Sequence, residues 1–575
     1  MGLFRNPDLV LLHPPTVYDF RTEPIFWGPI SDVVPSSFVF EMYPVGFNSI
    51  AGHLARHGFE TRVINLAYRM LTDPRYDCRK VIRRLRPRAF GIDLHWLPHA
   101  HGAIEIAGMC KELHPDTPVI MGGYSATFFH EEILSRYPQV DFVFRGDTTE
   151  GSVLEFMRCL KEGRPILHIP NLSFRDDAGG VHANAIVSPP DAADTFYNDY
   201  PCMFRMALKY MDIKSQIPFT GWWEYPITAI MTVRGCTQNC AICGGSNHAM
   251  RTLCKRGQPS YRSPERVVQD VRTMASYTDA PIFLIGDLNQ AGREYAEAVL
   301  EGLKSLAPQN DIVLELFTCA PESFFRQASD ACRNLNFEMS PESHDESVRH
   351  LAGKHYTNTD MERNIEWALS YGAKKFDLYF MTGIPGQDYD SVMGTIDYCE
   401  MLMSRFGARL MPFISPLAPF IDPSSLVWDQ PEKYGYTLFC RTLEEHRQAL
   451  LQPSWKYILS YETKWMNRDR IVDATYEAGR RLNLLKMKYG QVSQEIGECT
   501  DRRIRAAIDL NARIDRVLSE VPPGETRRSR LMELKRDMDA FSSSTICDAD
   551  EIKWRILGRR FKLLRIIRDC LCGSP

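Results

Sequence analysis

The chain has 575 residues, 44% hydrophobic and 24% charged, with a formal net charge of −4. That is the balance of a globular protein with a large core, long enough for three or four structural units, and it argues against a nucleic-acid partner. The opening MGLFRNPDLVLLHPP has an apolar run of four and no stretch reaches 18 apolar residues, so neither a signal peptide nor a membrane span is expected and the cytoplasm is the expected location. Sixteen cysteines in such a chain argue against a disulfide framework, and the isolated ones read as core thiols.

Residues 1–160 alternate short apolar strands, near 9–12, 61–64, 89–94, 118–121 and 141–144, with amphipathic stretches such as FNSIAGHLARHG. The alternation predicts an α/β domain with a doubly wound, Rossmann-like parallel sheet, whose ligands bind at the carboxyl ends of the strands. Residues 161–225 read as a linker with a small hairpin, followed by an approach segment with Trp222 and Trp223. A second βα series spans 226–430, with strands near 227–232, 282–285, 313–317, 336–339, 375–381 and 409–414. Six units without a seventh and eighth predict a partial (β/α)6 barrel. Residues 431–575 are charged and predicted mainly helical.

The segment ITAIMTVRGCTQNCAICGGSNHA places Cys236, Cys240 and Cys243 as C-x3-C-x2-C directly after the first strand of the second series. Thiolates are the preferred ligands of iron–sulfur clusters, and three of them can hold three irons of a cubane while leaving the fourth open to another ligand. A structural zinc site is the alternative. It would need a fourth ligand such as His248 or Cys254.

This arrangement resembles the signature of the radical S-adenosylmethionine superfamily, although Ile242 stands where an aromatic residue is usual. The resemblance implies a [4Fe–4S] cluster on Cys236, Cys240 and Cys243. It also implies S-adenosylmethionine chelated at the open iron, and hydrogen abstraction from an unactivated carbon by a 5′-deoxyadenosyl radical. Further motifs follow in the family's order: Gly244 and Gly245 after the cluster loop, then Asp287 and Asn289 in IFLIGDLNQAG. Ser340 and Glu342 follow in MSPESHDE with Glu338 as a rival, and Gly383, Pro385 and Gly386 lie in TGIPGQ. The resemblance assigns these to S-adenosylmethionine.

The first domain resembles the cobalamin-binding domain that precedes many such barrels, through LLHPP, GIDLHW, VIMGGYSATFF and VDFVFRGDTTEG. It implies contacts to cobalamin from His13, Pro14, Asp93, His95, Gly122, Gly123 and Ser125, with Gly122–Gly123 backbone lying against the corrin or its nucleotide tail. The Asp-x-His-x-x-Gly motif is not matched, because Pro98 occupies the glycine position after Asp93 and His95, so no axial histidine is assigned.

These resemblances imply cobalamin-dependent methyl transfer to an unactivated carbon. Radical C–C bond formation, cyclisation or rearrangement is the enzymatic alternative, and a non-catalytic metal-binding module is the alternative of another class. The expected partners are a small-molecule or lipid substrate and an electron donor such as flavodoxin or ferredoxin. In the C-terminal third, Tyr457, Tyr461, Glu462 and Trp465 are candidate pocket residues. Residues 552–568, IKWRILGRRFKLLRIIR, hold seven Lys or Arg and no acid; a basic helix there would bring peripheral membrane contact, or otherwise pack as a solvated bundle helix.

Overall fold

The computed structural model describes residues 6–29, 37–417, 419–542 and 546–572. Its first sheet joins β1 (Leu9–His13), β2 (Thr61–Asn65), β3 (Ala89–Asp93), β4 (Val119–Gly122) and β5 (Phe142–Phe144) in parallel, in the order 2-1-3-4-5. β1 reads LVLLH and is buried throughout, as a strand covered by helices on both faces must be. Strand order reverses at β1, with β2 added on one side and β3 on the other, which makes the carboxyl ends of β1 and β3 the switch point where doubly wound sheets take ligands.

The hairpin expected in 161–225 does not stand apart. Its strands, β6 (Leu172–Arg175) and β7 (Val181–Ala183), extend the first sheet antiparallel from β5. Asn171, at φ +67°, donates its side-chain amide to the Arg145 carbonyl at 2.8 Å, and this contact sets the register of the join.

The second series opens with β8 (Thr228–Met231), followed by a short antiparallel pair, β9 (Val233–Arg234) and β10 (Ser260–Tyr261). It continues with β11 (Ile282–Ile285), β12 (Ile312–Leu316), β13 (Leu335–Glu342), β14 (Lys375–Thr382) and β15 (Leu410–Pro416). β8 and β11–β15 form one parallel sheet in sequential order that ends at β8 and β15 without closing. Side chains alternate across each strand. Phe337, Phe376 and Leu378 pack outward into the main core, whereas Phe283, Val313, Tyr379, Met411 and Phe413 form inner clusters.

The last third is led by two long helices, Arg468–Lys488 and Gln494–Glu520. It also holds down the start of the chain: Phe26 exchanges backbone hydrogen bonds with Pro453 and Trp455, and Arg528 pairs with Glu23 at 2.8 Å.

One expectation is corrected here. Residues 552–562 are not helical, and the terminal helix begins only at Leu563 (Leu563–Cys572). Burial explains the change. Trp554 joins Tyr225, Ile227, Phe283 and Val313, and Ile552 joins Tyr379, Met411 and Phe413, so the segment plugs the amino-terminal end of the second sheet. Such tertiary contacts outweigh intrinsic helix preference. Among the described residues, no helix is long and apolar enough to cross a membrane.

Candidate active site

The cysteine loop starts from Arg234 on β9 and turns at Gly235, whose φ is +93°. Backbone contacts clamp it from two sides: Ala241 N–H donates to the Ala352 carbonyl at 2.8 Å, and Val427 N–H donates to the Ala241 carbonyl at 2.9 Å. Gly353, at φ +96°, lies so close that a Cβ there would stand 2.6 Å from the Asn239 oxygen. The loop is therefore held in shape before any ligand arrives.

Cys236 and Cys240 are half-buried and Cys243 is exposed. Two sulfurs accept backbone N–H groups: Cys236 Sγ from Gln238 and Cys243 Sγ from Gly245, each at 3.3 Å. Hydrogen bonds of this kind tune cluster thiolates. Among the described residues the three sulfurs do not all fall within 4.8 Å of one another. Tetrahedral zinc with Zn–S near 2.3 Å would bring its sulfurs to about 3.8 Å apart, whereas sulfurs on three different irons stand farther apart. The donor set fits the cubane better than zinc.

Gln290 was not singled out in the sequence, yet it is the side chain that meets the cluster loop. Its Oε1 accepts Thr237 N–H and Thr237 Oγ1–H, both at 3.0 Å, and lies 3.4 Å from Cys236 Sγ, while its Nε2 is buried and unpartnered. Asp287 and Asn289, one turn earlier, bond to each other and to backbone. Asp287 accepts Asn289 N–H at 2.8 Å, Asn289 Nδ2–H at 2.9 Å and Phe317 N–H at 3.0 Å, and burial raises its carboxyl above the ordinary value. They shape the loop that presents Gln290.

Ser340 and Glu342 end β13, joined by Lys354, which sequence reading missed. Lys354 Nζ donates to the Ser340 carbonyl at 2.6 Å and lies 3.3 Å from Glu342 Oε1. Glu342 has φ +68° and a buried, unpartnered Oε2. Gly244 N–H donates to Asp422 at 3.0 Å, and a Cβ at Gly244 would meet Asp422 at 2.8 Å; one at Gly245 would meet only Cys243 Sγ, at 3.6 Å. Gly383 and Gly386 have φ of +86° and +83° around buried Pro385. That turn is packed by the C-terminal third: Tyr436 Oη donates to the Gly383 carbonyl at 2.7 Å, and a Cβ at Gly383 would meet Tyr461 Oη at 3.0 Å. Tyr461 is therefore a packing residue under the turn. Tyr457 bonds Asp515 at 2.7 Å, Glu462 accepts Arg468 N–H at 3.2 Å and Trp465 covers Gly435, whereas the buried Tyr461 hydroxyl has no hydrogen-bond partner.

At the switch point of the first sheet, His13 and Pro14 are buried beneath the helix Ala100–Leu113. His13 Nδ1 faces Asp93 at 2.9 Å and its Nε2 faces the Phe40 carbonyl at 2.9 Å, so both nitrogens address acceptors. Burial opposes charge on this ring, but Asp93 outweighs it and holds the pKa above the ordinary value. His99 shares the Phe40 carbonyl at 3.1 Å, and burial, aided by His13, lowers its pKa to about 4. His99 Nδ1 and Asp93 Oδ2 are buried without partners. His95 is half-buried against Tyr124, and Trp96 beside it is 48% exposed.

The glycine pair is corrected in part. A Cβ at Gly123, where φ is +114°, would stand 2.5 Å from His95 Cα, so this chain's own β3 loop excludes a side chain there, without any corrin. A Cβ at Gly122 would meet only the Phe144 carbonyl, at 3.6 Å. Ser125 is spent on the same loop, donating N–H and Oγ–H to the His95 carbonyl, both at 3.2 Å.

The two sheets are locked together beside the cysteines. Arg234 reaches Glu150 at 2.7 Å and the Asp147 carbonyl at 2.9 Å, and Arg256 pairs with Asp147 and donates to Thr148 Oγ1 at 3.0 Å. The loop after β5 is thus held by arginines on either side of Gly235 and Cys236.

Comparisons agree with this pairing of units. Residues 32–153 match the B12 binding domain and residues 230–399 match the Radical SAM superfamily. The chain belongs to the radical SAM enzymes that carry a B12-binding domain. It is 26% identical over 282 residues to the hopanoid C-3 methylase of Methylococcus capsulatus, covering 47% of this chain and 49% of that one. It is 22% identical over 269 residues to the anaerobic magnesium-protoporphyrin IX monomethyl ester cyclase of Synechocystis, covering 45% and 49%. The chain thus spans about half the length of these curated relatives. The radical S-adenosylmethionine methyltransferase TsrM of Kitasatospora setae, solved with cobalamin and a [4Fe–4S] cluster, superposes with a TM-score of 0.56 at 14% identity, over 88% of this chain and 100% of that one. That likeness shows a shared fold.

The cofactors of this radical SAM enzyme are a [4Fe–4S] cluster, S-adenosylmethionine and cobalamin. The cysteine loop fits the first. The unpartnered Gln290 Nε2 and Glu342 Oε2 beside it are free polar atoms for the second. The unpartnered His99 Nδ1 and Asp93 Oδ2 near exposed Trp96 offer contacts at the cobalamin end.

Proposed function

We propose that this radical SAM enzyme transfers a methyl group to an unactivated carbon with the help of cobalamin. One observation carries the reading: the arginine clamp at 145–150 sets the cysteine loop of the second sheet against the first. When bound, the cluster with S-adenosylmethionine supplies hydrogen abstraction and cobalamin supplies the methyl group. In this reading Cys236, Cys240 and Cys243 hold the irons, and the N–H groups of Gln238 and Gly245 support their sulfurs. Gln290, Ser340, Glu342 and Lys354 orient S-adenosylmethionine, and the turn at Gly383, Pro385 and Gly386 closes its far side. Asp93, His95, Trp96 and His99 contact cobalamin. Cys243, the exposed ligand, is the side on which a flavodoxin- or ferredoxin-type donor delivers electrons.

The test is anaerobic turnover with S-adenosylmethionine labelled in its methyl group. Methyl transfer predicts label in a product and 5′-deoxyadenosine in step with it. Deoxyadenosine with an unlabelled product would favour the alternative of radical ring or C–C bond formation, which the cyclase relative makes the second reading.

The terminal helix supports a peripheral membrane contact for this enzyme. Its orientation is inverted: Leu563, Leu564 and Ile567 face solvent, Leu564 at 86% exposure, while Asp569 is buried against Tyr277. Arg559 and Arg560 precede that apolar face, while Lys562 pairs with Asp279 and Arg565 and Arg568 pair with Asp569; the exposed leucines with the two preceding arginines suit an anionic bilayer surface. Wild-type protein should sediment with vesicles of equal phosphatidylcholine and phosphatidylglycerol and not with pure phosphatidylcholine. Leu564→Glu with Ile567→Glu should stay in the supernatant; equal sedimentation of that variant would remove the membrane from the proposal.

A further inference from the structure

Three acidic residues stand in one row across the second sheet; among them only Glu338 figured in the cofactor motifs, as the rival to Ser340 and Glu342. The parallel register places Glu315 of β12 opposite Glu338 of β13, and Glu338 opposite Asp377 of β14. The row ends at Met411 of β15 on one side and continues to Ile285 and Met231 on the other. All three acids point inward, because the alternate positions Leu314, Phe337 and Phe376 belong to the outer core.

Carboxylates side by side in a protein interior are costly unless cations or donors answer them. Here the answer is incomplete. Glu315 accepts one bond, from Gly286 N–H at 2.8 Å. Asp377 lies 3.1 Å from Lys375, which also donates to the Glu551 carbonyl at 2.7 Å. Glu338 is 4% exposed and its Oε2 is buried with no partner. The other lysines near the row are committed, Lys354 to Glu342 and Ser340, and Lys486 to Glu551. Burial, together with repulsion from its two neighbours, pushes Glu338 well above the carboxylate range, and burial brings Glu315 up to about 7.

The chamber beside the row is open only at its β8 and β12 end, because Ile552 and Trp554 close the end at Met411 and Asp377. Met231 is 38% exposed and Glu315 is half-buried, although both lie on the inner face. The wall is thus apolar along β8 and β11 and acidic along β12 to β14, one step below Ser340 and Glu342. A single metal ion does not suit it, because among the described residues the three carboxylates do not bring an oxygen each within 4.8 Å of one another. An extended organic cation does.

We propose that Glu315 and Glu338, backed by the buried Asp377, form the substrate-recognition wall of the chamber and receive an ammonium or guanidinium group carried on an apolar frame. This rests on the reading of the second sheet as the radical chamber and adds the class of substrate to it. The cation replaces the proton that Glu338 otherwise keeps, so binding releases a proton to solvent.

The test uses holoenzyme with cluster and cobalamin, saturated with S-adenosylmethionine, titrated calorimetrically with hexylamine, hexylguanidine, hexanol and hexanoate in two buffers of different ionisation enthalpy. The two cations should bind at least about tenfold more tightly than the alcohol, the worth of a charge-assisted hydrogen bond, with proton release that the alcohol lacks. Hexanoate should not bind. Glu338→Gln and Glu315→Gln should each weaken the amine by about tenfold and leave the alcohol unchanged. Hexanol binding as tightly as hexylamine to wild-type protein would overturn the proposal, and so would unaltered amine binding by Glu338→Gln. The change in the reduced cluster's paramagnetic resonance spectrum on adding S-adenosylmethionine is recorded in parallel. Its loss only in Glu338→Gln would reassign Glu338 to S-adenosylmethionine and also overturn the proposal. Its absence in wild-type protein would instead count against the reaction proposed above, and the amine preference would still be read independently.

Discussion

Alanine at Cys236, Cys240 or Cys243 is expected to leave the anaerobically purified protein almost without iron, where the wild type should hold about four irons and matching sulfide. Each cysteine supplies one of only three protein ligands, so no spare thiolate in the loop takes over. Cys254 is buried beyond the helix Asn247–Leu253, and its alanine variant is the control that should retain full iron. The clamp by the Ala352 carbonyl and Val427 N–H is backbone only, so the loop should keep its shape in all three variants. Their far-ultraviolet circular dichroism should match the wild type while deoxyadenosine formation falls to background. Unchanged iron in any one variant would show that the ligand set is wrong; stoichiometric zinc in the wild type would show that the cluster is.

Arg256→Met is expected to be the most destabilising single change outside the hydrophobic core. Arg256 and Asp147 are 2% and 3% exposed in their side chains, and the guanidinium also serves Thr148 Oγ1 and the Pro189 carbonyl. Removing one partner strands the other as a buried charge, which costs about 3–5 kcal/mol. Removing both spares that term, so Asp147→Asn with Arg256→Met should be more stable than Arg256→Met alone. Arg256 also packs on Gly235, where a Cβ would stand 2.9 Å from its Cδ, so the single variant should lose part of its iron as well. Denaturant melts of the four proteins of this cycle provide the measurement. A single variant within about 0.5 kcal/mol of wild type would mean that the clamp is not what joins the sheets.

Much of the architecture was legible in the chain because its signals are local. The strands near 282–285 and 375–381 appear as Ile282–Ile285 and Lys375–Thr382, since each is a short apolar run bounded by turn residues. The cysteine triplet is likewise one contiguous loop. What stayed hidden depends on partners far away in sequence. Glu315, Glu338 and Asp377 become a row only through strand register, Lys354 meets Glu342 across a turn, and Arg234 finds Glu150 across the two sheets. Gly123 was legible as a glycine that must be one, but the reason is the backbone of His95, which lies on another loop. The segment 552–562 was misread because its composition is helical while its fate is set by a hollow that only the completed second sheet presents.

That plug has a consequence for biosynthesis. Ile552 and Trp554 leave the ribosome after every strand they cover, so on the nascent chain Phe283, Val313, Tyr379 and Phe413 have no lid and the acid row is open to water from below. A product cut short before residue 551 would display that apolar hollow permanently and invite aggregation. The hollow is thus closed only by a segment made after all the strands it covers.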